Sequence, residues 1–369
     1  MSRIKIGVIG GGAIAQVHHL PFLKELAEEF DVRVVCDISE KLGEYDAQLF
    51  QIPAHVTDYR KVLDMDVDAV LLCQTDPKTD VAIAALRAGK HVFIEKPICF
   101  SLREVDSIIG AARRSGKIAQ AGYVKLFEPA FEAAQREVKS IPDPRFVQIN
   151  HLHSGNVLHV RQFRTRKFDD IPQRAKDEIQ KARKAAINEA IGEVPPIAER
   201  AFGILSGSLI HDLYGLRVLF GNPNRVAHTE LWQDGRSITT ILEYPSGLRC
   251  VASWMDLSNA DHSNVWDFHE TLEVYGGSKR VIVKYATGFS RGMSKLTIYG
   301  VDGDGRSYRQ EPVMDWESPF RRELRHFHES VTQGTPNRSP VASARDDISL
   351  IIDITRAYLA KGPIDRKLA

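Results

Sequence analysis

The sequence predicts an α/β chain in two parts: a doubly wound parallel sheet first, then an α+β domain on a largely antiparallel, open sheet. Three observations carry this. Short β-branched runs alternate with helical patterns as far as Tyr123. From residue 146 onward, strand patterns follow one another with mostly short turns between them. The length, 369 residues, exceeds what one hydrophobic core ordinarily serves.

Composition narrows the partners. Hydrophobic residues at 43% and charged residues at 26% suit a folded, water-soluble chain. Lys plus Arg (49) nearly cancels Asp plus Glu (48), so there is no net field to gather nucleic acid or an anionic membrane, and a small-molecule partner fits better. The four cysteines, Cys36, Cys73, Cys99 and Cys250, are widely spaced and form no CxxC motif or disulfide framework, which suggests a reducing compartment. The opening MSRIKIGVIGGG enters a strand pattern at once, and nowhere do roughly 18 apolar residues run together. The expectation is a cytoplasmic protein that touches no membrane.

The first run, IKIGVI (4–9), stops at Gly10-Gly11-Gly12, and a helical pattern follows from Ala13 to Leu26. Gly10-x-Gly12-x-x-Ala15 between strand and helix is the context in which such a motif binds a dinucleotide. Glycines let the backbone approach a pyrophosphate, the helix start offers free N–H groups, and Ala15 permits close helix–sheet packing. The second strand, Val32 to Cys36, ends at Asp37, whose carboxylate can accept both ribose hydroxyls and repel a 2′-phosphate. NAD is therefore expected over NADP, although Ser39 and Lys41 stand near enough to help a phosphate if the loop bends. Gly10, Gly12, Ala13, Ile14, Ala15 and Asp37 are the first cofactor contacts.

A third strand, Ala69 to Cys73, leads to a helix ending at Arg87, and a fourth, His91 to Ile94, runs into Glu95-Lys96-Pro97. A helix (about Leu102 to Ser115) and a strand (about Ile118 to Tyr123) complete a Rossmann domain over residues 1–123. The second domain, 124–369, holds the strands FVQINHLH (146–153), RVAHTELW (225–232), SITTILEY (237–244), LRCVASWM (248–255), ETLEVYGG (270–277) and KRVIVKY (279–285). Between the first two lies a charged stretch, about 168–200, in which QRAKDEIQKARKAAINEAI has helix-forming composition and reads as a surface insertion. An amphipathic pair, Phe320 to Gly334 and Ser343 to Ala360, closes the chain. His151 and His153 share one strand face, but with His159, His262 and His269 they supply no metal-ligand spacing, so no metal is expected. Trp254, Trp266 and His262 lie in a polar-aromatic stretch suited to sugar faces, without assigned roles.

The strand–GGGAIA–helix start, AGKHVFIEKP near residue 90, GYVKLFEPAF (122–131), IHDLYGLRVLFG (210–221) and the closing helical pair together resemble the Gfo/Idh/MocA oxidoreductases. The resemblance spans nearly the whole chain, and AGKHV…EKP is its most specific part. It implies a Rossmann domain, a sheet domain for substrate, and homo-oligomers formed through that sheet. It also places Thr75, Glu95, Lys96 and Pro97 beside the nicotinamide, with the proline often cis and the lysine on the hydroxyl being oxidised. Bottom-up chemistry agrees that a lysine beside a cationic ring sheds its proton more readily. Family members often carry Asp-x-x-x-His on one helix; here His211 matches the histidine, but Gly207 stands where the aspartate would be. Three alternatives stay open: His211 acts without an aspartate on its own helical turn, Asp212 orients a different group, or Tyr214 enters the site in place of the acidic residue often found at its position. Lys125, His153, Asp212 and Tyr214 are the expected substrate contacts, and Asp80 replaces a histidine of the family pattern.

The expected activity is NAD-dependent oxidation of a secondary hydroxyl of a sugar, polyol or glycoside to a ketone, or the reverse. Lys96 handles the proton and His211 assists. Two alternatives stay open: bound NAD recycled within one turnover while a glycosidic bond is cleaved, and a dinucleotide-binding sensor without turnover.

Overall fold

The computed structural model describes residues 2–258 and 268–366, so Trp266 and His262 lie outside the described residues. Chain contacts divide it into two units. The first runs to Val124 and takes in Val160–Gly192 and Phe320–Arg345; the second holds Lys125–His159, Glu193–Pro319 and the chain from Asp346 onward.

The first unit is a six-stranded sheet of β1 (Ile4–Ile9), β2 (Phe30–Cys36), β3 (His55–Val56), β4 (Ala69–Leu72), β5 (His91–Glu95) and β6 (Ala119–Gly122). Its order is β3-β2-β1-β4-β5-β6, parallel throughout. Strand order reverses between β1 and β4, which is where doubly wound sheets bind ligands. Helices cover both faces, so β4 is buried along its whole length and reads as an unbroken apolar run. Ser101 and Glu104 form a reciprocal cap at the start of the helix Leu102–Ser115, which Gly116 ends at φ +65°.

Two segments pack differently from the sequence expectation. The insertion and the first closing helix are expected in the second domain, yet the closing helix and the insertion as far as Gly192 join the first unit. The helix Pro319–Thr332 brings Phe320, Leu324 and Phe327 into the same core as Ile6, Phe30 and Phe93. The helix Gln173–Ile191 buries Ala186, Ile187 and Ala190, pairs Glu189 with Arg103, and lays Arg183 over the Phe100 ring. An amphipathic pattern tells that one face is buried, not against which sheet.

The second unit carries nine strands: β7 (Pro144–His153), β8 (Arg225–Trp232), β9 (Ser237–Glu243), β10 (Arg249–Asp256), β11 (His269–Gly276), β12 (Lys279–Tyr285), β13 (Lys295–Val301), β14 (Ser307–Gln310) and β15 (Ile364–Asp365). Their order is β14-β13-β12-β11-β7-β10-β9-β8-β15. Among the described residues, only the β7–β10 pair is parallel. Alternation along β7 buries Val147, Ile149 and His151 and leaves Gln148, Asn150 and Leu152 half-covered, so one face is packed and the other is open. The helices Pro129–Lys139 and Ile210–Phe220 come close enough that a Cβ on Gly215 would lie 3.3 Å from the Phe131 ring. Among the described residues no helix is long and apolar enough to cross a membrane.

Candidate functional site

In the first unit, the turn after β1 is made by glycine. Gly10 takes φ +96°, and a Cβ there would lie 2.2 Å from the Gln74 backbone nitrogen, so the turns after β1 and β4 touch. Gly12 has nothing within 4 Å of where its Cβ would be. That open side, at the start of a helix whose first N–H groups lack intrahelical partners, fits a pyrophosphate. Ala13 is exposed, Ile14 is half-buried against the core, and Ala15 is buried within it. Asp37 accepts the Gly11 N–H at 2.8 Å and the Ser39 N–H at 2.9 Å. Burial raises its pKa, and those two bonds offset only part of the effect.

The helix then opens into a π-turn, Ala15–His19, that turns two successive histidines inward. His18 stacks on Phe320 at 3.9 Å, and His19 Nε2 lies 2.6 Å from Glu95 Oε1 at the end of β5. Burial pushes Glu95 up, but His19, Lys96 and Lys78 outweigh it and hold the carboxylate below its ordinary value. Lys96 follows, half-buried, on a cis peptide bond to Pro97. Burial lowers the Lys96 pKa and Lys78 adds repulsion, against the pull of Glu95 and Asp76. Sequence reasoning missed Lys78: almost fully buried, it donates to Asp76 Oδ1 at 2.6 Å and to the Pro97 carbonyl at 3.0 Å, bracing the turn. It also missed Asp46, a fully buried carboxyl under Gly11 that burial, with Asp37 nearby, pushes up to about 8. Thr75 is exposed beyond β4.

The second unit builds a buried ionic network. Lys125 Nζ lies 3.0 Å from Asp212 Oδ1, pairs with Glu270, and sits 4.2 Å from the Tyr285 ring centre. His151 Nδ1 is 2.9 Å from Asp212 Oδ2 and 3.1 Å from Glu270 Oε1. On its other side Ser208 Oγ lies 3.2 Å from His151 Nε2 and accepts the Trp254 indole N–H at 2.8 Å. Burial pushes the Asp212 pKa up, but Lys125 and His151 prevail and hold it below the usual carboxylate value. Among the described residues, His151, Asp212 and Glu270 have the donor set of a cation site. The cation placed there is the Lys125 ammonium.

A second strand of the network reaches His211. The Tyr214 hydroxyl accepts the Lys125 N–H at 3.0 Å and lies 2.9 Å from His211 Nδ1. Asp212 and Tyr214, expected to touch substrate, are both 0% exposed and instead position Lys125 and His211. His153 is half-buried, stacked 5.5 Å from Trp254, and accepts the Gly155 N–H at 3.1 Å. Sequence reasoning did not find His151 and Glu270 as partners; their signal was only the i, i+2 histidine pair on β7.

Residues 4–123 match the family described as an oxidoreductase family with an NAD-binding Rossmann fold. Over that stretch the chain matches the Gfo/Idh/MocA oxidoreductases. An uncharacterized oxidoreductase of Bacillus subtilis, YrbE, is 31% identical over 41% of this chain and 43% of its own length, less than half of that protein. A myo-inositol 2-dehydrogenase of Thermotoga maritima is 22% identical over 99% of this chain and 97% of its own. The crystal structure of an oxidoreductase from Agrobacterium radiobacter with NAD+, L-tartaric acid and magnesium has the same fold, with TM-score 0.73, 14% identity, and 99% and 98% of the two chains covered.

Against the Gfo/Idh/MocA pattern, the departure at Gly207 has a structural setting. It lies in a second π-turn, Leu205–Leu209, and a Cβ there would meet nothing within 4 Å. The wide turn alters the four-residue stacking on which Asp-x-x-x-His depends. His211 takes its orienting partner from Tyr214, three residues on. Asp80, the other departure, is exposed in the first turn of the helix Thr79–Arg87.

Proposed function

We propose that this Gfo/Idh/MocA chain is an NAD-dependent dehydrogenase that oxidises a secondary hydroxyl of a sugar, polyol or glycoside to a ketone, or runs the reverse reduction. The observation that carries the reading is Lys96, a half-buried lysine with its pKa lowered by burial, at the carboxyl edge of a sheet whose order places ligands there. Relatives named as inositol 2-dehydrogenases support a polyol. The bound nicotinamide supplies a two-electron acceptor for the hydrogen leaving the carbinol carbon. Gly10, Gly12, Ala13 and Ile14 would hold the pyrophosphate, with Ala15 packing the helix start against the sheet, Asp37 would accept the ribose hydroxyls, and Thr75, Glu95 and Pro97 would line the nicotinamide side. The hydroxyl proton goes to Lys96 Nζ. A lysine accepts a proton only when neutral, so a lowered pKa makes it a better base near neutral pH. His211 assists, and Lys125 and His153 meet further hydroxyls.

The half-covered face of the second unit's sheet, where Asn150 and Thr239 are partly exposed and bond to the buried Thr271 and Ser253, is the surface we assign to a homo-oligomer, which the mass in solution by light scattering checks. Four free, buried thiols support a reducing, cytoplasmic setting.

The test is NADH appearance when the purified protein and NAD meet a panel of inositols, sugars and glycosides. Turnover on a panel member is expected, and Lys96→Ala should lower kcat by about 1,000-fold while NAD still binds. Turnover unaffected by the substitution would remove Lys96 from the chemistry.

A further inference from the structure

The insertion is laced to the dinucleotide unit at the two places where a cofactor's adenosine half would lie. The side-chain amide of Gln16, next after Ala15, donates to the Arg166 carbonyl at 3.0 Å and accepts the Arg166 N–H at 2.8 Å. It also donates to the Gly11 carbonyl at 2.7 Å, so one side chain ties the glycine turn to the insertion. Tyr45 donates its hydroxyl to the Arg164 carbonyl at 2.7 Å, and its ring lies 6.1 Å from that of Phe168. Asp170 then reaches the end of β2: Oδ1 accepts the Ser39 hydroxyl at 2.5 Å and Oδ2 accepts the Lys41 N–H at 3.0 Å.

Ser39 caps the 11-residue helix Glu40–Phe50, so Asp170 binds the first-turn N–H of that helix, two residues beyond Ser39. In this fold the loop after β2 is where NAD and NADP are told apart. The Ser39 hydroxyl, the Lys41 N–H and the positive helix end are what a 2′-phosphate could use there, and all three are engaged by a carboxylate from 131 residues away. Ser39 has a second carboxylate on its backbone side, where its N–H donates to Asp37.

We propose that Asp170 is a specificity-determining residue for the cofactor: its carboxylate occupies the anion position after β2 and thereby excludes NADP. The inference rests on the dinucleotide reading above. It reverses the expectation that Ser39 and Lys41 could help a phosphate, because both are committed to Asp170. Its bonds to Ser39 and Lys41 hold Asp170 below the ordinary carboxylate pKa, so it is charged at neutral pH. A 2′-phosphate brought to this loop would meet both Asp37 and Asp170, and like charges at hydrogen-bonding distance repel strongly. The preference for NAD is then set by the insertion as well as by Asp37.

The experiment is a fluorescence titration of NADH and NADPH into the full-length protein, with no substrate and no turnover. Asp170→Asn keeps the size and removes the charge; Asp170→Ser is a second, smaller neutral replacement. Asp169→Asn removes the same charge one residue away, where the side chain is 95% exposed and pairs with Lys176 instead. Thermal melts establish that each variant is folded. Both Asp170 variants should bind NADPH at least about tenfold more tightly while NADH changes by no more than about twofold, and Asp169→Asn should match the unmodified protein. An unchanged NADPH to NADH ratio in the Asp170 variants, or an equal shift in Asp169→Asn, overturns the proposal. Failure of the unmodified protein to bind NADH overturns the cofactor reading itself, and the proposal with it, before any variant is compared.

Discussion

The glycine turn of the first unit and the ionic network of the second are both candidate binding machinery, but they are made of different material. The turn is backbone: six consecutive residues, Gly10 to Ala15, whose use depends on where a Cβ is absent. The network is side chain: Lys125, His151, Asp212 and Glu270 come from four distant parts of the chain and are all buried. A backbone site tolerates changes of charge and fails on added volume, whereas a buried side-chain network tolerates little change in charge.

The largest effect is expected at Asp212. Its replacement by alanine leaves Lys125 and His151 without their shared carboxylate and should cost about 3–5 kcal/mol in denaturant unfolding. Because its folded pKa lies below the unfolded value, this stability is present at neutral pH and is lost as pH falls through the folded value. The gap between the variant and the unmodified protein should therefore close in acid; a gap constant down to the acid limit would count against the ion pair. Next comes a pair within the turn. Gly10→Ala, at positive φ and against the Gln74 backbone, should destabilise the fold by about 2 kcal/mol or more. Gly12→Ala should leave the melting temperature nearly unchanged and weaken NADH binding at least about tenfold. Equal melting of the two variants would mean that Gly10 and Gly12 have the same steric surroundings, against the difference in their neighbours.

A smaller effect is expected below the turn, at Asp46. Its folded pKa is raised to about 8, so the carboxyl is neutral in the fold and ionised in the unfolded chain across the window between. Stability is lost as pH rises through that window, and Asp46→Asn should escape the loss, its advantage over the unmodified protein growing from pH 4 to pH 8. Parallel pH profiles for the two proteins would contradict the raised value. Smallest is Tyr214→Phe, which removes the hydroxyl oriented on His211 at a stability cost of about 1 kcal/mol. On the proposed dehydrogenase activity it should lower kcat about tenfold with KM little changed. A change in KM alone would assign Tyr214 to binding instead.

The difference in material also decides what could be read from the sequence. The glycine turn, Asp37 and the Glu95-Lys96-Pro97 run are contiguous signals, and the structure sets them at the ends of β1, β2 and β5. The helix QRAKDEIQKARKAAINEAI begins and ends at the expected residues, because its composition favours helix at nearly every position. Its packing was not legible: only Ala186, Ile187 and Ala190 are buried, too few to mark a face. The short β15 exists only by pairing with β8, and β13 and β14 were not singled out in their turn-rich setting. Neither π-turn has a sequence signature, yet one turns His18 and His19 inward and the other carries Gly207 and Ser208. The partnership of His151 with Asp212 and Glu270 depends on tertiary placement, which spacing along the chain does not encode.

The central claim is that Lys96 takes the substrate proton, and the pH dependence of NADH formation tests it most directly. With a substrate from the panel, kcat/KM should rise with pH along a limb that lies below the ordinary lysine range, because the base works only when neutral and burial lowers its pKa. Lys96→Ala should abolish that limb along with most of the rate. The same limb, unchanged in position and height in the variant, would contradict the assignment.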